Sequence, residues 1–314
     1  MWVSHQLNCA QDEVQPINWA CLWGHTAAAR AILRDPSVVQ HVAARKSDAL
    51  SWCCHKGHAE TLKVLLESVH ISHTHSNSPT PLFRTLTPLQ LAVCYAPRGK
   101  DLKTVELLLA QGVDVDETIV ANKKTALAIA ASNHSYEIVA ALLKHGASVK
   151  VDSDDKSAFR YLFDDCLNYD YGKTAALVNL FVAERPNDNL QNDLPYLCRT
   201  MILLAPIIRE LLKLGALVNA RSAGGLTPLH ITVYYALNLP AAEVFKCNIR
   251  ALVLGGADLT AKTTAAATEE DIVLCGYDIP GGLTPMDVAR TCGKDEMRDA
   301  VVATLTAAIA QRAL

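Results

Sequence analysis

Short amphipathic stretches recur along the chain, and every second stretch ends on a pair of large apolar residues. The eight pairs are Ile32-Leu33, Leu65-Leu66, Leu108-Leu109, Leu142-Leu143, Phe181-Val182, Leu211-Leu212, Leu252-Val253 and Val301-Val302. A glycine follows several of them, as expected where a helix ends in a left-handed cap. The pattern predicts eight units of two helices, with the second helix of each unit ending at such a pair.

The first helix of a unit has its own start signal. Leu-Thr-Pro occurs at Leu86, Leu226 and Leu283. The threonine can accept a hydrogen bond from a free N–H of the first turn, and proline fits the first helical position because no N–H is needed there. By this signal and by alignment we predict first helices starting at Pro16, Ala49, Thr87, Thr125, Ser157, Pro195, Thr227 and Thr284.

The interval between equivalent positions is nearly constant. Gly24 and Gly57 are 33 residues apart, Gly112 and Gly146 are 34 apart, and Gly215 follows Gly146 by 69, about two periods. With its Thr-Pro-Leu-His phrase at Thr227, the chain resembles the ankyrin-repeat family, whose unit of about 33 residues is a turn and two antiparallel helices.

The resemblance implies an all-α fold, an ankyrin-repeat solenoid of antiparallel helix pairs with short turn or loop fingers. We expect a single array over residues 1–314, with approximate repeats at 13–46, 47–83, 84–120, 121–153, 154–190, 191–223, 224–280 and 281–314.

Several segments exceed the period. Extra residues lie near 96–99 in repeat three, at 168–172 in repeat five and at 237–242 in repeat seven, and the connections 68–85 and 258–282 are long. A long connection inside a compact array is usually functional or disordered.

Composition narrows the class of partner. Half of the residues are hydrophobic, 19% are charged and the net charge is -3, so neither nucleic acid nor an anionic membrane is indicated. The N-terminal residues lack the pattern of a signal peptide, and no apolar run is long enough to span a membrane. We expect a soluble, cytoplasmic monomer, or a protein delivered into a host cell if it is a bacterial effector.

Cysteine placement indicates packing rather than cross-linking. Cys21, Cys53 and Cys54 fall where ankyrin repeats have two small residues in the first helix. Neighbouring helices lie about 8–10 Å apart, beyond the ~7 Å limit between the Cα atoms of a disulfide. These thiols are predicted to be buried and reduced.

Metal and enzyme signatures are incomplete. Three histidines lie between His70 and His75, without the paired CxxC or HxxxH spacing that would complete a zinc site, so a solvated loop is expected. The segment from Tyr171 to Thr174 lacks the earlier glycine of a phosphate loop, and neither HExxH nor GxSxG occurs. No cofactor and no enzymatic activity are predicted.

The resemblance also implies a binding face, formed by the turn tips and by the two exposed positions after the small pair of each first helix. Carried onto this chain, the predicted partner-binding residues are Trp23, His55, Lys56, Tyr95, Asn133, Asp164, Asp165, Tyr234 and Tyr235. Tyr95, Tyr234 and Tyr235 stand beside insertions, so packing beneath those insertions is the alternative for them.

The sequence therefore predicts a scaffold that binds a partner protein through a concave helical surface. Two alternatives stay open: a secreted bacterial effector that acts on host proteins, and an enzyme whose site is built on the insertions of repeats three, five and seven.

Overall fold

The computed structural model describes residues 16–43, 48–69, 83, 86–95, 102–118, 123–149, 157–163, 171–184, 193–198, 205–222, 225–238, 242–264, 279–292 and 295–314. Within these ranges the regular structure is helical and contains no β-strand, which confirms the all-α prediction. The chain forms two compact units, Met1–Tyr161 and Leu162–Leu314. The prediction of one continuous array stays a prediction.

The first unit is built of two rows of helices. Its helices are α1 (Pro16–Trp23), α2 (Thr26–Ile32), α3 (Pro36–Ala43), α4 (Ala49–Lys56), α5 (Ala59–Ser68), α6 (Pro88–Tyr95), α7 (Leu102–Ala110), α8 (Ala126–Ser132) and α9 (Tyr136–Lys144). Helices α1, α4, α6 and α8 pack side by side in that order and form the first row, and α2, α5, α7 and α9 form the second row. Each first-row helix also packs on the second-row helix that follows it.

The second unit is also built of two rows of helices. It contains α10 (Tyr171–Glu184), α11 (Leu194–Leu197), α12 (Ala205–Lys213), α13 (Pro228–Asn238), α14 (Ala242–Leu254), α15 (Pro285–Thr291) and α16 (Asp295–Arg312). Helices α11, α13 and α15 pack in order, as do α10, α12, α14 and α16.

Side-chain caps explain where several first helices begin. Thr87 Oγ1 accepts from Gln90 N–H while Thr87 N–H donates to Gln90 Oε1, both at 3.1 Å. Thr284 and Asp287 form the same reciprocal box, and Thr125 Oγ1 accepts from Ala128 N–H at 3.2 Å. These caps satisfy N–H groups that have no partner inside the helix, so the predicted starts at Thr87, Thr125 and Thr284 are confirmed.

Three elements differ from the prediction. The segment at Ser157 forms only a 3-10 turn at Arg160–Phe163, closed by Arg160 N–H donating to Ser157 O. The last helix does not end at Val302 but continues to Arg312, because Leu305 and Ala308 remain buried. Helix α3 was not predicted.

The small-pair cysteines lie in the core of the first unit, as predicted. Cys21, Cys53 and Cys54 are fully buried free thiols. A hydrogen bond between the Cys21 and Cys53 thiols, with burial, raises the pKa of Cys53. Burial, reinforced by the electrostatic effect of Cys21, raises the pKa of Cys54 well above its ordinary range. Cys53 and Cys54 are therefore poor nucleophiles at neutral pH.

Candidate functional site

The C-terminal ends of the first-row helices in the first unit expose a line of side chains, which we call the exposed row: Trp23, Lys56, Tyr95 and Asn133. Trp23 is 57% exposed and Tyr95 is 40% exposed. Because α1, α4, α6 and α8 pack in sequence, these residues come from adjacent helices. Four predicted positions are thus brought to the surface in one helical layer.

His55 supports this row from beneath. Its ring centroid lies 4.5 Å from that of Tyr95, 5.9 Å from Trp52 and 6.0 Å from Phe83, in edge contacts. The Nδ1 atom of His55 is buried and makes no hydrogen bond within the described residues. Burial, reinforced by the charge of Lys56, lowers the pKa of His55 to about 4, so the ring is neutral at pH 7 and acts as an aromatic support.

The turn after α1 is fixed by a close approach. Gly24 has a φ of +69°, and a Cβ placed on it would lie 2.7 Å from the His58 ring. His58 Nε2 is 3.2 Å from Leu22 O at the end of α1. The histidine thus ties the turn that carries Trp23 to the next repeat.

Charge is distributed unequally between the two rows. Helices α1, α4, α6 and α8 contain no Asp or Glu, whereas the second row carries Glu60, Glu67, Glu106 and Glu137. The first-row helices contain one lysine, Lys56, and the ammonium of Lys124 lies 4.5 Å from the centroid of the Tyr161 ring. Burial raises the pKa of Cys94 and the Lys124 ammonium opposes that rise.

Two predicted contact residues are not at the surface. Tyr234 and Tyr235 are each 1% exposed, so the expectation that they are exposed is wrong. Their rings form an edge contact at 5.9 Å, and Tyr235 stacks on Phe245 of α14 at 6.3 Å. They are packing residues of α13, which is the alternative that the neighbouring insertion suggested.

Other predicted positions lie outside the described residues. These are Asp164, Asp165, the histidines from His70 to His75, and most of the three insertions. Within the part that the structure describes, no group of three or more His, Cys, Asp or Glu side chains could hold a metal ion. In the same part, none of the helices has the length and apolarity needed to cross a bilayer.

The structure adds surface residues that were not predicted as contacts. Trp19 is 39% exposed and lies one helical turn before Trp23 on α1. Residues four apart share a helix face, so the spacing of the two tryptophans was a usable signal. Lys124 lies before the start of α8, and no spacing in the sequence marked it as a contact residue.

The chain is similar to known ankyrin-repeat proteins. A family model described as ankyrin repeats matches residues 50–153 and 89–176. Among solved structures, the human ASB11 ankyrin repeat domain is similar at 18% identity and a TM-score of 0.44, with 94% of this chain and 97% of that chain covered. No curated protein matches the sequence.

Proposed function

Because this chain belongs to the ankyrin-repeat family, whose repeats are generally modules of protein–protein interaction, we propose that it is a protein-binding scaffold whose partner lies across the exposed row. The ankyrin fold is typically a non-enzymatic scaffold, and the proposal assigns no catalysis to this chain.

The exposure of two large aromatic side chains carries this proposal. Tryptophan and tyrosine often contribute most of the binding energy of an interface. Trp23 and Tyr95 are exposed to water, so a partner that buries them gains the free energy of removing their apolar surface from water. They come from repeat-equivalent ends of α1 and α6, with α4 between them. A partner that covers both therefore also covers Lys56.

Interface size sets a minimum footprint for that partner. A stable complex buries roughly 800 Å² on each side, more than two side chains provide. The footprint would therefore extend over Trp19 and Asn133 as well, and include adjacent turn residues. A partner of this extent would contact all four first-row helices.

The test begins by isolating a partner from cell lysate and identifying it by mass spectrometry. Affinity is then measured for the wild type, Trp23→Ala and Tyr95→Ala. Loss of an aromatic anchor commonly costs about 2 kcal/mol or more, roughly thirtyfold in affinity, and we expect losses of that size.

Two control variants make the test specific. Tyr136 is 44% exposed on the second-row helix α9, and Tyr136→Ala should bind normally. Replacing the three histidines between His70 and His75 should also change affinity little. The proposal fails if the histidine variant abolishes binding while both exposed-row variants bind normally.

A further inference from the structure

We propose that the second unit carries a second binding surface, which takes an amphipathic helix of a partner protein. Three exposed leucines form this surface, which we call the leucine edge: Leu214, Leu217 and Leu254. They are 44%, 55% and 44% exposed. The proposal goes beyond the proposed function, because the leucine edge contains no residue of the exposed row.

The three leucines lie on two adjacent turns. Two of them follow α12, and the third is the last residue of α14. These helices pack side by side, and a Cβ placed on Gly255 would collide with Leu212. The Asp258 N–H donates to Asn219 Oδ1 at 2.8 Å. The contacts hold the ends of α12 and α14 together, so the leucines form one patch.

Other repeats do not have large apolar residues at these positions. Repeats three and four of the first unit carry the same turn glycine, which aligns them with repeats six and seven. The equivalent residues are Gln111 and His145 for Leu214, Asp114 and Ser148 for Leu217, and Ala110 and Lys144 for Leu254. The repeat fold therefore does not require leucine at any of the three positions.

Leu217 also gives up a contact that equivalent residues make. Asp114 Oδ1 accepts from Asp116 N–H at 3.0 Å, and Asp258 Oδ1 accepts from Thr260 N–H at 2.8 Å. A leucine side chain cannot accept this hydrogen bond, and its exposed part adds nothing to the core. Exposed apolar side chains that cluster in this way mark interaction surfaces.

The lysines beside the leucine edge are neutralised within the chain. Lys213 pairs with Glu210 at 3.2 Å on α12, and Lys246 pairs with Glu243 at 2.6 Å on α14. The two glutamates are the only carboxylates of these two helices. Both carboxylates are therefore taken, and the arginines of α12 and α14 are left over.

Those arginines indicate acidic residues in the partner. Arg209 and Arg250 are exposed and make no ion pair with a described residue. Each lies six residues before the turn glycine of its repeat, so the two occupy equivalent positions on packed helices. Arg250 also lies four residues before Leu254, on the same face of α14. A partner carboxylate placed here gains two opposite charges.

A helix is the form of partner that fits the spacing of the turns. Packed helices lie about 8–10 Å apart, and residues i and i+7 of an α-helix share a face about 10 Å apart along the axis. A partner helix across the two turns would place one apolar residue near Leu217 and another, seven residues on, near Leu254. An acidic residue on its flank would reach Arg250.

An anionic membrane is the competing ligand, because exposed leucines beside arginines also suit a lipid surface. The chain as a whole has a net charge of -3, which opposes adsorption to anionic lipid. The partner helix is therefore the better match.

The experiment selects binders for the full-length protein from a displayed library of 18-residue peptides with high helix propensity. Selected sequences should carry apolar residues three, four or seven positions apart, with Asp or Glu beside them. A synthetic peptide of the selected consensus should become helical on binding, as measured by circular dichroism.

The test variant combines Leu214→Gln, Leu217→Asp and Leu254→Lys, each a residue that repeat three or four has at the equivalent position. It should fold as the wild type does, and its net charge is unchanged. We expect it to lose at least tenfold in affinity for the consensus peptide, and Leu217→Asp alone to lose at least threefold.

Two charge variants test the arginines. Arg250→Glu should lose at least threefold in affinity for the consensus peptide. Arg30 is exposed on the second-row helix α2 of the first unit, so Arg30→Glu should bind as the wild type does.

Several results would overturn the proposal. They are the absence of any enriched peptide, a consensus without acidic residues, and unchanged affinity for the folded leucine variants or for Arg250→Glu. Phosphatidylserine-containing vesicles that bind the wild type but not the leucine variants would replace the helix with a membrane. A consensus peptide that loses affinity for Trp23→Ala instead would lie on the exposed row, which would overturn this proposal and support the proposed function.

Discussion

Helices α6 and α13 begin alike and end differently. Both follow a Leu-Thr-Pro phrase, and in both the third residue after the threonine caps the helix and reaches into the next repeat: Gln90 Nε2 donates to Glu117 O, and His230 Nε2 lies 3.0 Å from Leu283 O. At its end α6 exposes Cys94 and Tyr95, whereas α13 buries Tyr234 and Tyr235.

Helix length accounts for this difference. Helix α6 has 8 residues and α13 has 11, and the partner helix α14 has 13 residues where α7 has 9. The extra turn continues the packed surface past the tyrosines, so Phe245 can stack on Tyr235. Equivalent positions in a repeat thus serve as surface or as core according to the local length of the helix pair.

The largest expected effect is a difference in stability between the two tyrosine sites. Removing a buried aromatic side chain costs about 3–5 kcal/mol, which we expect for Tyr235→Ala. Tyr95→Ala removes a partly exposed ring and should cost about 1 kcal/mol or less. Urea unfolding followed by circular dichroism measures both, and equal losses would show that the two positions do not differ in packing.

A second pair of variants tests the turn that carries Trp23. Gly112 has a φ of +74°, and no atom lies within 4 Å of the position that a Cβ would occupy there, so Gly112→Ala should incur only the backbone cost of about 1–2 kcal/mol. In Gly24→Ala the added Cβ also collides with the His58 ring and disrupts its hydrogen bond with Leu22 O. This variant should therefore lose about 1 kcal/mol more stability than Gly112→Ala. If the two variants lose equal stability, His58 does not hold the turn.

The smallest effect concerns pH and the two capping residues. Burial lowers the pKa of His230 below its ordinary value of 6.5, although the hydrogen bond to Leu283 opposes that shift. The unfolded chain therefore takes up a proton at higher pH than the folded one, and stability is lost as pH falls below about 6.5 toward the folded pKa.

The variant His230→Gln should keep both hydrogen bonds, because Gln90 makes them in α6, and should lose less stability between pH 7.5 and pH 5. Unfolding midpoints at the two pH values provide the measurement. His25 is exposed, so His25→Gln should follow the wild type. An identical pH dependence for His230→Gln would exclude His230 as the source.

Local chemistry made four of the eight predicted first helices predictable. A threonine cap followed by proline or alanine specifies a helix start from a few adjacent residues, and α6, α8, α13 and α15 begin there. Small-pair positions likewise predicted the burial of Cys21, Cys53 and Cys54. Both features are determined by residues that lie within the same repeat.

Features that depend on neighbouring elements were harder to predict. The exposure of Tyr95 and the burial of Tyr235 are set by helix length, which the period alone does not specify. Helix α3 did have a local signal, since Asp35 Oδ1 accepts from Ser37 N–H at 2.8 Å and Pro36 occupies the first position. Alignment to a two-helix repeat left no place for that helix.

Alkylation of native cysteines tests the central claim, that a partner covers the exposed row, most directly. Cys94 is exposed beside Tyr95 on α6, and Cys247 is exposed on α14 of the second unit. Site-resolved mass spectrometry would follow the alkylation rate at both thiols, with and without the partner isolated from lysate. We predict that the partner slows alkylation of Cys94 at least tenfold and leaves Cys247 unchanged. An unchanged rate at Cys94 in the saturated complex would contradict the account.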